Sequence, residues 1–193
     1  MKLPRVLAFS GSARRGSLNK QLVRVAAQAV RDAGAEVTLI DLDEFPMPVY
    51  HGDLEERDGL PEHCRRLKRL FMEHDAFLLA SPENNASVSS LMKNTLDWVS
   101  RQDGSQSGLA PYHGKVALLL SASPGGLGGL RGLVHLRQIL QTLDVLVLSE
   151  QFALARAHEA FEADGALKEA RHRETVAKLA ERLVTVSRKM LNP

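Results

Sequence analysis

Short apolar runs alternate along this chain with stretches whose apolar residues recur at helical spacing. Arg5-Val6-Leu7-Ala8-Phe9, Val37-Thr38-Leu39-Ile40, Ala76-Phe77-Leu78-Leu79-Ala80, Val116-Ala117-Leu118-Leu119-Leu120 and Val145-Leu146-Val147-Leu148 each read as a strand. The third is apolar at every position, as a parallel strand covered on both faces must be. Between the strands, Leu18, Leu22, Val25, Ala26 and Ala29 mark one helix, and Leu67, Leu70 and Phe71 mark another that begins near Pro61. Met92, Leu96 and Val99 place a helix over about Ser89 to Val99; Leu133, Leu136, Leu140 and Leu143 mark the next, and Val176, Leu179, Leu183, Val186 and Met190 a closing amphipathic one. Residues 42–60, punctuated by Pro46, Pro48, Gly52 and Gly59, read as a long loop placed to line a ligand site. Residues 151–166 show no clear pattern.

Strands alternating with helices through right-handed crossovers give an α/β fold with a doubly wound parallel sheet, and for five strands 2-1-3-4-5 is a common order. In that order the first, third and fourth strands are neighbours. Each is followed by an unusual polar turn, so three turns converge on one crevice at the carboxyl edge of the sheet. The first, Gly11-Ser12-Ala13-Arg14-Arg15-Gly16-Ser17-Leu18-Asn19, passes directly into a helix. A helix N-terminus offers unpaired N–H groups and partial positive charge, and the turn adds Ser10, Ser12 and Ser17 hydroxyls, the Asn19 amide and the Arg14 guanidinium. It reads as an anion cradle.

What the cradle lacks narrows its ligand. Ser17 stands where a P-loop has Lys and Leu18 where it has the Mg²⁺-binding Ser or Thr, which argues against nucleoside triphosphate hydrolysis. Ala13 replaces the middle glycine of a dinucleotide fingerprint, although Asp41 ends the second strand where a ribose-binding acid belongs, so a dinucleotide remains a minor alternative. The other two turns, Ser81-Pro82-Glu83-Asn84-Asn85-Ala86-Ser87 and Ser121-Ala122-Ser123-Pro124-Gly125-Gly126-Leu127-Gly128-Gly129, offer amides to ring nitrogens and carbonyls and glycines that admit a flat ring. A phosphate in the first turn and a planar heterocycle along the other two fit flavin mononucleotide (FMN).

Composition limits the classes further. The chain has 193 residues, 44% of them apolar, which suits one compact domain over residues 1–193. A formal charge of +2 is too small for nucleic-acid wrapping. No apolar stretch approaches the roughly 20 residues of a membrane span and no signal-peptide core precedes the first strand, so the expectation is a soluble cytoplasmic protein without membrane or nucleic-acid partners. Cys64 is the single cysteine, read as a plain helix residue rather than a redox thiol, and the seven histidines show no metal-ligand pairing, so no metal is expected.

Three motifs then carry a family resemblance: Gly11-Ser12-x-Arg14-x-x-Ser17-x-Asn19, Ser81-Pro82-Glu83-x-Asn85-x-Ser87 and Leu91-x-Lys93-Asn94-x-x-Asp97-Trp98. Together they resemble the NADPH-dependent FMN reductases, flavodoxin-like relatives of bacterial quinone and chromate reductases and azoreductases. The resemblance implies a three-layer flavodoxin-like fold, bound FMN, NADPH as reductant, two-electron reduction of quinones, flavins or another small-molecule electron acceptor, and assembly as a homodimer or homotetramer. Carried over by position, Ser12, Arg14, Ser17, Leu18 and Asn19 would hold the phosphate, Pro82, Glu83, Asn84 and Asn85 the ring and ribityl chain, and Ser121 and Gly125 the far side of the ring.

Two departures stand out. Asn84 occupies the place of the family's usual Tyr, and Ser89 and Ser90 stand where Pro and Gly are usual. Loss of a stacking ring removes about 1–3 kcal/mol, which predicts looser FMN or a different choice of acceptor. Because the flavin carries the chemistry, no side chain is named as catalytic; Glu83, the tempting acid, reads as a solvent-facing turn carboxylate. The alternative class is a flavin-binding sensor or electron carrier without turnover.

Overall fold

The computed structural model describes residues 2–191. Strand β1 (Arg5–Ser10) leads into helix α1 (Leu18–Asp32), followed by β2 (Glu36–Leu39), a 3-10 turn (Leu42–Glu44), α2 (Gly52–Asp58), α3 (Glu62–Glu73) and β3 (Ala76–Ala80). Then come β4 (Glu83–Asn84), β5 (Ser87–Val88), α4 (Ser90–Val99), β6 (Val116–Ala122), α5 (Leu130–Thr142), β7 (Leu146–Leu154) and α6 (Ala170–Leu191). The main sheet is five-stranded in the order β2-β1-β3-β6-β7, which is the expected 2-1-3-4-5 once the small hairpin strands are set aside. All of its pairings are parallel.

Alternating residues on the strands supply two cores. Val6, Ala8, Leu78 and Leu118 pack with Leu22, Val30, Val176 and Leu183 from α1 and α6, while Leu7, Phe9, Phe77 and Leu119 pack with Phe71, Met92, Leu96, Leu133 and Leu136 from α3, α4 and α5. Each fully buried large side chain stabilises the fold by about 1.5–3 kcal/mol. This two-sided burial is why the strands carry so few polar residues.

The structure corrects the reading in two places. Residues 42–60 contain the 3-10 turn and α2 rather than a plain loop, and they line no part of the large cleft described below. Trp98 explains their position: its indole N–H donates to the Pro48 carbonyl at 2.8 Å, Asn94 donates to the same oxygen at 2.9 Å, and the Tyr50 N–H donates to Asn94 Oδ1 at 2.8 Å. The Asn94 and Trp98 of the third motif thus fasten this segment onto α4. Further on, β7 continues through Leu154. Its polar residues, Ser149, Glu150 and Gln151, hid an edge strand whose second half pairs with Leu119 to Ala122 after a register shift.

A candidate flavin cleft at the carboxyl edge of the sheet

A cleft of about 700 Å³ opens where the turns after β1, β3, β6 and β7 meet. Small-molecule sites commonly span about 300–1,000 Å³. Ser12, Arg14, Ser17, Leu18, Asn19, Pro82, Glu83 and Asn84 line it, as do Gly11, Gly16, Ser89, Leu91, Ser123, Pro124 and His158.

The phosphate end is built around the start of α1. Ser17 is the N-cap, its Oγ accepting the Lys20 N–H at 3.3 Å, and the first turn carries no acidic residue. The amides of Leu18 and Asn19 have no acceptor within the helix, as first-turn amides must lack one. Arg14 is exposed at the cleft. The Asn19 side chain has a different task from the one expected: its Nδ2 donates to the Ala122 carbonyl at 2.8 Å and its Oδ1 accepts the Ala122 N–H at 2.9 Å. Matched in this way, the buried amide locks α1 to the end of β6, with one Nδ2 hydrogen left over at the cleft wall.

Gly11 is required by a close approach. A Cβ there would lie 2.9 Å from both Met92 Cβ and Ser89 Oγ. Ser89 donates to the Gly11 carbonyl at 2.6 Å and accepts the Met92 N–H at 3.1 Å, so one hydroxyl caps α4 and fastens it to the first turn. Proline at that position would do neither.

The second turn is a β-hairpin. Asn84 pairs with Ser87 across Asn85 and Ala86, whose φ angles of 49° and 63° make it a type I′ turn. Asn84 lines the cleft, whereas Asn85 sits at the exposed tip outside it. Glu83 does not face solvent as expected. Its side chain is 10% exposed, Arg131 Nε donates to Oε1 at 2.8 Å, and the Gly132 N–H donates to Oε2 at 3.2 Å. The N-cap of α5, Gly129, has no side chain to cap the helix, so Glu83 caps it from the hairpin. The Arg131 guanidinium first, and the Gly132 amide to a smaller degree, hold its carboxyl below the usual range. An acid so paired is a strut, and the ring end of the cleft carries no free carboxylate from it.

Two further expected residues fall outside the lining. Ser121 is fully buried within β6 and donates to the Gly128 carbonyl at 2.7 Å, and Gly125 is exposed beyond the rim. The cause is strand length: β6 runs to Ala122, which brings Ser123 and Pro124 to the cleft instead. His158 was missed because it follows the unrecognised end of β7; the turn after a parallel strand reaches the same edge as the others. Two acids near the cleft are also neutralised, Glu83 by Arg131 and Asp41 by Lys20 at 2.6 Å. Asp41 is therefore committed to Lys20, which argues against the ribose role that kept a dinucleotide in view. Cys64 is buried, donates to the Trp98 carbonyl at 3.2 Å and is pushed up to about 11 by burial, so it stays a thiol at neutral pH.

The residues present fit a phosphorylated flavin: hydroxyls, a guanidinium and free helix amides at one end, and a hairpin with a small-residue turn at the other. The model of the NADPH-dependent FMN reductase family matches residues 4–159. A probable NADPH:quinone oxidoreductase of Oryza sativa is 35% identical over 86% of this chain and 80% of its own length. An NAD(P)H-dependent FMN reductase of Pseudomonas aeruginosa is 35% identical over 89% of each chain. Among solved structures, a flavoenzyme NAD(P)H:(acceptor) oxidoreductase of Paracoccus denitrificans superposes with a TM-score of 0.80 at 26% identity, covering 97% of this chain and 99% of that one. With fold, cleft and motifs in agreement, this chain belongs to the NADPH-dependent FMN reductase family.

Proposed function

We propose that the chain is an FMN-dependent NAD(P)H oxidoreductase that passes two electrons from NAD(P)H to quinones, flavins or similar small acceptors. The observation that carries this reading is the meeting of a basic, acid-free helix start and the hairpin turn in one cleft, in a chain of this family. FMN bound there would supply the redox chemistry, two-electron transfer between nicotinamide and acceptor. The protein's part is to place and enclose it. Ser12, Arg14, Ser17 and the Leu18 and Asn19 amides would hold the phosphate, and Pro82, Asn84, Ser123 and Pro124 would border the ring. Glu83 and Arg131 fix the hairpin on α5, which keeps that border in place.

The reading extends to one FMN-binding domain, a cytoplasmic location, and assembly as a homodimer or homotetramer. No helix among the described residues is long and apolar enough to cross a membrane. Leu130 and Val134 on α5 are exposed, and assembly would cover such apolar surface. Sedimentation velocity tests the assembly: a monomer at micromolar concentration overturns it.

The activity is tested by recording the visible spectrum of the purified protein under argon before and after NADPH. Bleaching of a flavin spectrum, restored by a quinone, is the expected outcome. A yellow protein that NADPH does not bleach would make this a binding protein, and one that takes up no added FMN overturns the flavin reading itself.

A further inference from the structure

Lys20 is out of place by the ordinary rules of helices. It is the third residue of α1, where a cation opposes the helix dipole, and it is 7% exposed, where an ammonium is costly unless paired. A methionine of similar length would bury there without either cost. What the ammonium does is visible in its partners: Nζ lies 2.6 Å from Asp41 Oδ2 at the end of β2 and donates to the Ala13 carbonyl at 3.2 Å. The anchor is itself held, because Asp41 Oδ1 accepts the Asp43 N–H at 3.1 Å and caps the 3-10 turn. The backbone of Lys20 is tied as well, by Ser17 Oγ.

Ala13 lies between Ser12 and Arg14, and all three line the cleft. The side chain of Lys20 therefore holds the turn at Ala13, while its backbone N–H, which any residue there would offer, meets Ser17. We propose that Lys20 is a positioning residue for the phosphate-binding turn: braced on Asp41, its ammonium holds the Ala13 carbonyl and sets the turn in the shape that receives a phosphate. Asp41 balances the charge, so the effect on the ligand comes through the shape of the turn rather than through added positive potential.

The inference rests on the reading of the cleft as an FMN site. Riboflavin differs from FMN by the phosphate alone, so the ratio of their dissociation constants isolates the turn. For Lys20→Met we expect FMN to bind about tenfold more weakly and riboflavin to change less than twofold, the ratio falling about tenfold. Lys20→Arg, which keeps both hydrogen bonds within reach, should retain the wild-type ratio to within threefold. Asp41→Ala should shift the ratio in the same direction as Lys20→Met, and the double variant should be no worse than Lys20→Met, because both changes break one strut. If Lys20→Met does not fold, Asp41→Ala and Lys20→Arg still decide the matter.

Titration by flavin fluorescence gives the constants, and thermal unfolding is recorded alongside. A fall in thermal stability with both flavins weakened in proportion, or an unchanged ratio in Asp41→Ala and Lys20→Met, overturns the positioning role. Wild-type protein that binds neither flavin overturns the FMN reading instead, so the two failures are distinguishable.

Discussion

The two ends of the cleft are built on opposite plans. The phosphate end is a turn whose supports are buried and come from afar: Asn19 ties it to β6, Ser89 ties it to α4, and Lys20 ties it to Asp41, the cap of the 3-10 turn after β2. The ring end is a two-residue hairpin with an exposed Asn84 and two non-glycine residues at positive φ, held on α5 by Glu83 and Arg131. The first end is tied to three separate elements, whereas the hairpin is fastened to α5, by the Glu83–Arg131 pair, the Gly132 N–H on Glu83 and the 2.9 Å contact between Ser87 Oγ and His135 Nδ1. In a reductase this division has a use. On the proposed reading, the constant part of the cofactor would meet the fixed end, and the face that exchanges reactants would be bordered by the hairpin.

The contrast is broken most severely at Asn19. Asn19→Ala leaves a buried N–H and carbonyl of Ala122 unpaired, and at about 1–3 kcal/mol for each group it should destabilise the protein by about 3 kcal/mol. Urea denaturation measures this, and a loss below about 1 kcal/mol would show that the phosphate end is less tightly tied than its hydrogen bonds indicate. At the ring end, Asn84→Tyr restores the family's aromatic residue at an exposed cleft position. Stacking worth about 1–3 kcal/mol should tighten FMN by one to two orders of magnitude, read by fluorescence titration. An unchanged constant would place the ring away from Asn84.

Glu83 offers a pH test of the same end. Its carboxyl is held below the usual value in the folded protein, so its contribution is present above the unfolded carboxylate range near pH 4 and is lost as pH falls through the lower folded value. Glu83→Gln removes that acid-limb dependence and should cost about 1 kcal/mol at pH 7, because Arg131 is largely exposed and water screens the pair. Stability curves of wild type and variant that stay parallel between pH 5 and 3 would refute the assignment. The smallest effect is expected at Ala86, where φ is 63°. Ala86→Gly removes left-handed strain of about 1–2 kcal/mol and adds unfolded-state entropy of about 0.5–1 kcal/mol, for a net gain of about 0.5 kcal/mol in a thermal melt.

Much of this arrangement is legible in the chain. Apolar runs with helical segments between them dictate a parallel sheet covered on both faces, and the strand-to-helix turn at Gly11 to Asn19 announces an anion site. Eight of the eleven site residues named from sequence line the cleft. The exceptions have a common cause. Ser121, Gly125 and Asn85 were placed by motif position, but strand ends and turn geometry determine which way a residue faces, and a shift of one residue reverses the face. Glu83 looked solvent-facing for a related reason: its partners Arg131 and Gly132 are 48 and 49 residues away in sequence.

The sequence by itself determined the order of the five main strands and the long helices between them, the two apolar faces of the sheet and the chemistry of the first turn, because periodicity and turn residues are local properties. The tertiary structure decided what each polar side chain is for. Asn19, Glu83 and Asp41 all carry groups able to meet a ligand, yet each has a partner from a distant segment, and Ser121 turns back to the Gly128 carbonyl of its own turn. A buried polar group must be satisfied by whatever the fold brings beside it, and only the packed chain fixes that neighbour.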